Sequence, residues 1–172
     1  MRKLFIGAGV VLALLGGGFN QMACAAESPQ RPIMQIQNKQ GIKVVYDARK
    51  DEWQAGIGKS LYYVRGLVES YKKQGVEPSK LDIHIVLHGP TAYWALKDEA
   101  FQTTQSDPFA VNTNAKIIHD LNALGVKVEV CNVTLRGYGW THDMLLPDVK
   151  IVFDAYTRMI ELQQEGYAYI IF

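Results

Sequence analysis

From Gly41 onward, short apolar runs rich in β-branched residues alternate with stretches whose apolar residues recur every three or four positions. That alternation builds βαβ units, in which each helix crosses a sheet and returns the chain to a parallel neighbour. The strand-like runs are residues 42–46 (IKVVY), 81–87 (LDIHIVL), 126–130 (VKVEV), 149–153 and 167–172 (YAYIIF). Between them, residues 52–73 read as a helix with Ile57, Leu61, Val64, Val68 and Tyr71 on one face, closed by Gly75 and Pro78. A short helical piece is expected over 91–97, an irregular stretch over 101–111 and a helix over 113–124 stopped by Gly125. A glycine-punctuated turn with a short helix follows at 132–144, and a last helix at 155–165. With right-handed crossovers this predicts an α/β fold: a single-domain open, mainly parallel five-stranded sheet with helices on both faces.

The first 26 residues have a different character. Arg2 and Lys3 precede an apolar run of about 12 residues, short of the ~20 that span a bilayer. Gly16 to Gly18 break the run, and Ala23, Ala25 and Ala26 supply small residues for cleavage. This order predicts a cleaved secretory signal over 1–26, export to a bacterial periplasm, and no membrane span in the mature chain. Cys24 offers lipoprotein anchoring as the lesser alternative, because Gln21 stands where such a signal carries Leu. Residues 27–40, with Pro29 and Pro32, read as an N-terminal arm before a domain over 41–172.

The 172 residues carry 18 Lys and Arg against 17 Asp and Glu, and losing Arg2 and Lys3 takes the balance just below neutral. Such a chain has no electrostatic footprint for nucleic acid. Gly56-Ile57-Gly58-Lys59-Ser60 resembles the end of a phosphate loop, but Trp53 occupies the place of its first glycine. His84, His88, His119 and His142 are scattered without metal-ligand spacing to each other or to Cys131, so no metal site is expected. His84, among apolar neighbours in a strand, reads as a hydrogen-bonded core histidine.

Removal of the leader would leave Cys131 as the only thiol. It directly follows a strand, at the edge where open parallel sheets hold their ligands. The next residues, Asn132 to Gly139, are expected to open a helix whose N–H groups favour an anion and hence a thiolate. Arg136 could add positive charge, whereas burial against Val130 and Leu135 would oppose it. The alternative is a small buried hydrophobe, the commonest fate of free cysteine. His88 ends the second strand at the same rim, and Asp47 and Arg49 end the first, where caps or satisfied loop side chains are the simpler reading.

The stretch Gly125-Val126-Lys127-Val128-Glu129-Val130-Cys131-Asn132-Val133-Thr134-Leu135 and the later Asp143-Met144-Leu145-Leu146-Pro147-Asp148-Val149 resemble the DsrE/DsrF-like family. So do Val86-Leu87-His88-Gly89 and the closing Gln163-Gln164-Glu165-Gly166-Tyr167-Ala168-Tyr169-Ile170. The resemblance implies a DsrE-like domain that assembles into a homo-oligomer, a trimer or hexamer, and carries sulfur as a persulfide on Cys131. It implies no cofactor. Small sulfur compounds or a partner thiol protein would be its partners, with His88, Asn132, Thr134 and Arg136 in support. Two departures stand out: an apparent signal where the family's relays are cytoplasmic, and Asn132 where Gly commonly follows the cysteine. The competing expectation is a non-catalytic binding or assembly subunit with Cys131 packed and an apolar pocket lined by Trp94, Tyr138 and Trp140. Tyr62, Tyr63, Phe101, Phe109 and Tyr156 have no evident place in one small core, which also points to assembly.

Overall fold

The structure, a computed structural model, describes residues 31–172. The expected signal, Cys24 and the start of the arm lie outside the described residues. In chain order come β1 (Ile42–Ala48), a hairpin of β2 (Trp53–Gln54) and β3 (Ile57–Gly58), α1 (Lys59–Lys73) and β4 (Leu81–Leu87). A 3-10 helix over Gly89–Ala95 leads to α2 (Asp98–Gln105), α3 (Asn114–Ala123), β5 (Lys127–Cys131) and α4 (Asn132–Tyr138). Short 3-10 turns over Pro78–Lys80 and His142–Met144 precede β4 and β6 (Lys150–Val152), and α5 (Ala155–Gln164) and β7 (Ala168–Ile171) close the chain.

Five strands form one sheet in the order β6-β5-β4-β1-β7, and every neighbouring pair is parallel. The chain steps outward from β1 to β4, β5 and β6, then returns across the sheet to β7. Right-handed connections therefore put α1 and α3 on one face and α5, from the one returning crossover, on the other. The side chains follow this division. Val44, Tyr46, Ile83, Ile85, Val128 and Val130 join Leu61, Val64, Ile118 and Leu121 in the larger core. Val45, Val86 and Cys131 pack instead with Ala155, Met159 and Leu162. Full burial of each such Leu, Ile or Val stabilises by about 1.5–3 kcal/mol.

Two local expectations are corrected. Helix α1 starts at Lys59, because residues 52–58 form the hairpin. Ala55 and Gly56 both have positive φ, 50° and 79°, the backbone of a tight two-residue hairpin turn. The stretch expected to be irregular contains α2, whose Phe101 is buried and stacks on Tyr93 at 5.7 Å. Phe101 therefore belongs to the core and not to an outer surface.

The hairpin also explains the second glycine of the loop-like motif. A Cβ on Gly58 would lie 2.6 Å from the Trp94 ring, and Trp94 is fully buried. Gly58→Ala is expected to destabilise the domain by about 1–3 kcal/mol, as overpacking does. A urea titration reads this directly; a midpoint equal to that of the parent chain would contradict it.

Candidate functional site

Cys131 ends β5 and is at once the N-cap of α4, with φ −74° and ψ 118° and no intervening loop. Its side chain alternates with Val130 and so faces α5, where Val45, Val86, Val152, Ala155 and Met159 surround it. Only 3% of the residue is exposed. Helix α5 covers this face of the sheet, and the thiol is buried in the small core beneath it.

His88 meets Cys131 through strand register. Leu87 pairs with Val130 as the last step of that ladder, and His88 and Cys131 are the residues that follow on the two neighbouring strands. Both alternate onto the α5 face. His88 Nε2 donates to Asp47 Oδ1 at 2.7 Å, and the Tyr156 ring stands edge-on to the imidazole at 5.5 Å. Tyr169 OH donates to Asp47 Oδ2, and Arg49 Nε lies 3.8 Å from the same oxygen. Neighbouring strands β5, β4, β1 and β7 thus contribute Cys131, His88, Asp47 and Tyr169 to one face of the sheet, with Tyr169, level with Val45, reaching along it to Asp47.

Asp47 is 2% exposed. Burial pushes its carboxyl up, but the hydrogen bonds from His88 and Tyr169, with the charges of His88 and Arg49, outweigh burial and hold it below the usual range. The Tyr169 hydroxyl is pushed up to about 12 by burial and by Asp47.

Asn132 and Thr134 brace the turn. Asn132 Oδ1 accepts from His142 Nε2 at 2.9 Å, and Thr134 Oγ1 accepts from the Gly89 backbone N–H at 3.1 Å. The second bond ties the start of α4 to the residue after His88. Arg136 falls in the last turn of α4, exposed and outside the described ion pairs, so its charge complements that helix end instead of meeting the thiol. The structure therefore brings together Cys131, His88, Asn132 and Thr134, and leaves Arg136 apart.

A second polar cluster lies deeper on the same face. His84 Nδ1 donates to Glu129 Oε1 at 2.7 Å, which makes His84 the hydrogen-bonded core histidine that its strand position predicts. Arg158 of α5 donates to both Glu129 oxygens at 3.1 Å and to Glu161 at 2.5 Å. Burial raises Glu129, yet the bonds from His84 and Arg158 hold its carboxyl below the ordinary range. This bidentate clamp fastens α5 to β5.

Asp47 and Glu129, lowered in the folded state, stabilise the fold above the ordinary carboxylate range near ~4 and lose that contribution as pH falls through and below it. Asp47→Asn and Glu129→Gln are each expected to flatten the acid limb of stability against pH. Urea midpoints between neutral pH and pH 3 test this, and an unchanged slope in both variants would contradict it.

Asp47, Tyr156 and Tyr169 carry weaker sequence signals than Cys131. Asp47 ends the first apolar run, where a cap or satisfied loop side chain is the simpler reading, and the two tyrosines carry no motif of their own. Among the described residues, no group of three His, Cys, Asp or Glu side chains is placed to hold a metal ion.

The model of the DsrE/DsrF-like family matches residues 57–172. β1, with Asp47, precedes that span. Among solved structures, the chain is similar to a protein of unknown function, MTH1491, from Methanobacterium thermoautotrophicum. The TM-score is 0.54 at 21% identity, covering 76% of this chain and 98% of that one. It is likewise similar to the ychN protein from E. coli, with TM-score 0.54 at 18% identity, covering 76% and 99%. At these identities the likeness establishes the shared fold. No curated protein matches the chain.

Proposed function

Because the chain belongs to the DsrE/DsrF-like family, we propose that it is an exported sulfur-handling protein in which Cys131 accepts sulfane sulfur and passes it to another thiol. The observation that carries this reading is the position of Cys131 at the carboxyl end of a central parallel strand, beside His88 and its buried Asp47. The Cys131 thiolate attacks a sulfur of a polysulfide, and a new S–S bond forms as one within the polysulfide breaks. The shortened polysulfide leaves with the electron pair. An acceptor thiolate then takes the outer sulfur, and Cys131 departs as thiolate. No net oxidant is required.

The roof over the thiol sets a condition on this chemistry. A donor reaches the sulfur only when the first turns of α5 move, and Ala155 and Met159 are the side chains that must part from it. The basic and apolar leader pattern of residues 1–26 supports export to a periplasm. Incubation with polysulfide followed by mass spectrometry tests the reading, and absence of a sulfur adduct on Cys131 overturns it.

The 3% exposure of Cys131 favours a second reading, an assembly or binding subunit in which the residue is only packed. Native thiol titration separates the two: a thiol inert to both alkylation and sulfur donors belongs to the second.

We also propose a homo-oligomer, a trimer or hexamer. Phe153 and Tyr156 are 77% and 60% exposed, and Ile160 follows Tyr156 by one helical turn on the outer side of α5. Tyr63 and Phe109 are further exposed aromatics. Light scattering at micromolar concentration is expected to give a multiple of three protomer masses; a monomer would contradict it.

A further inference from the structure

A second concavity lies at the same ends of the strands but belongs to the α1 and α3 side of the sheet. Asp51, Pro90, Tyr93, Thr104, Tyr138 and Trp140 line a cleft of about 510 Å³. Asp51 lies three residues past β1, Pro90 three past β4, and Tyr138 closes the helix that follows β5. Open α/β sheets place ligands outside these strand ends, and the volume lies within the ~300–1,000 Å³ of small-molecule sites.

The lining has a definite chemistry. Tyr138 and Trp140 stack at 4.6 Å with 17° between their planes and form one aromatic wall. Asp51 Oδ1 accepts from Trp53 Nε1 at 3.0 Å, from Trp94 Nε1 at 3.1 Å and from Tyr93 OH at 2.9 Å. Among the described residues, Oδ2 accepts only from Tyr93 OH, at 3.0 Å. All three donors are neutral, so the carboxylate is fixed in place without being neutralised. Of the nearby cations, Arg49 lies 3.8 Å from Asp47 and Lys59 pairs with Glu52, while the exposed Lys50 makes no described ion pair with Asp51.

A carboxylate accepts hydrogen bonds and donates none, so a ligand at Oδ2 must bring donors. Aromatic faces attract a cation and an apolar body together. We propose that this cleft binds a primary organic ammonium ion, with its N–H groups on Asp51 Oδ2 and its hydrocarbon portion against Tyr138 and Trp140. This site is independent of Cys131, which faces α5 on the other side of the sheet.

All three tryptophans of the chain report on it, because Trp53 and Trp94 hold Asp51 and Trp140 forms the wall. The test is a titration of the full chain with phenethylammonium chloride, followed by tryptophan fluorescence, beside its neutral analogue 2-phenylethanol. A saturating signal is expected, with the ammonium binding about tenfold more tightly than the alcohol, the combined range of a solvent-exposed cation–π contact and a solvent-exposed ion pair. Asp51→Asn and Trp140→Ala are each expected to weaken ammonium binding by about tenfold. Trp140 lies outside the Asp51 hydrogen-bond cluster, so its variant decides the matter if Asp51→Asn does not fold. The Cys131→Ala chain is expected to bind the ammonium as tightly as the parent chain, which separates this result from the fate of the sulfur reading. Absence of saturation, equal binding of the alcohol, or parent-like affinity in the folded variants would overturn the proposal.

Discussion

Cys131→Ala is expected to abolish sulfur acceptance while leaving the fold intact. The only other cysteine, Cys24, lies in the expected leader, so an exported chain has no second thiol to substitute. The lost atom is one sulfur in an apolar setting among Val86, Ala155 and Met159, and its removal costs about 1 kcal/mol. Sulfur uptake is read per protomer by mass spectrometry and folding by circular dichroism. A folded variant that still gains sulfur would show that acceptance has nothing to do with this cysteine.

Met159→Ala is expected to act in the opposite direction. Met159 is buried on α5 and helps to roof the thiol. Shortening it opens space beside the sulfur and weakens the packing of the helix, at about 2–5 kcal/mol of stability. Alkylation of Cys131 by iodoacetamide should accelerate by about tenfold or more, since a local opening that is easier by only ~1.4 kcal/mol has that effect. Leu162→Ala is the control. It removes comparable buried volume from the same helix one turn further along, past the residues that cover the thiol. Faster alkylation in Met159→Ala alone identifies local opening of the roof. Equal acceleration in both variants would mean that the thiol reacts only after α5 as a whole detaches, and would contradict the roof account.

Much of the architecture is legible in the sequence because parallel strands are buried on both faces and read as continuous apolar runs. Residues 42–46, 81–87 and 126–130 come close to this, broken only by Lys43, Asp82, His84, Lys127 and Glu129, and each falls on a strand of the structure, the third starting one residue later than its run. The hairpin at Trp53–Gly58 was hidden because Ile57 fits the helical spacing of Leu61 and Val64. The tight turn depends on Ala55, a residue that rarely takes positive φ. Helix α2 was equally obscured: Phe101 is its sole buried residue, too little to show a period.

The site divides along the same line. Cys131 and His88 are visible because position at a strand end is a local property. The partnership of Asp47 with His88 and Tyr169 is not, since it depends on β1 pairing with β4 on one edge and, after a crossover of the whole sheet, with β7 on the other. The burial of Cys131 is likewise set by that crossover, which lays α5 over the β5 end. The placement of Arg136 at the far turn of α4 follows from the helix starting at Asn132, one residue after the thiol.

Whether Cys131 accepts sulfur is read by intact-protein mass spectrometry after brief exposure to inorganic polysulfide. A gain of one sulfur per protomer is expected on the parent chain, mapped to Cys131 and discharged by an added low-molecular-weight thiol. A chain that gains no sulfur, even as the Met159→Ala variant with its opened roof, would contradict it.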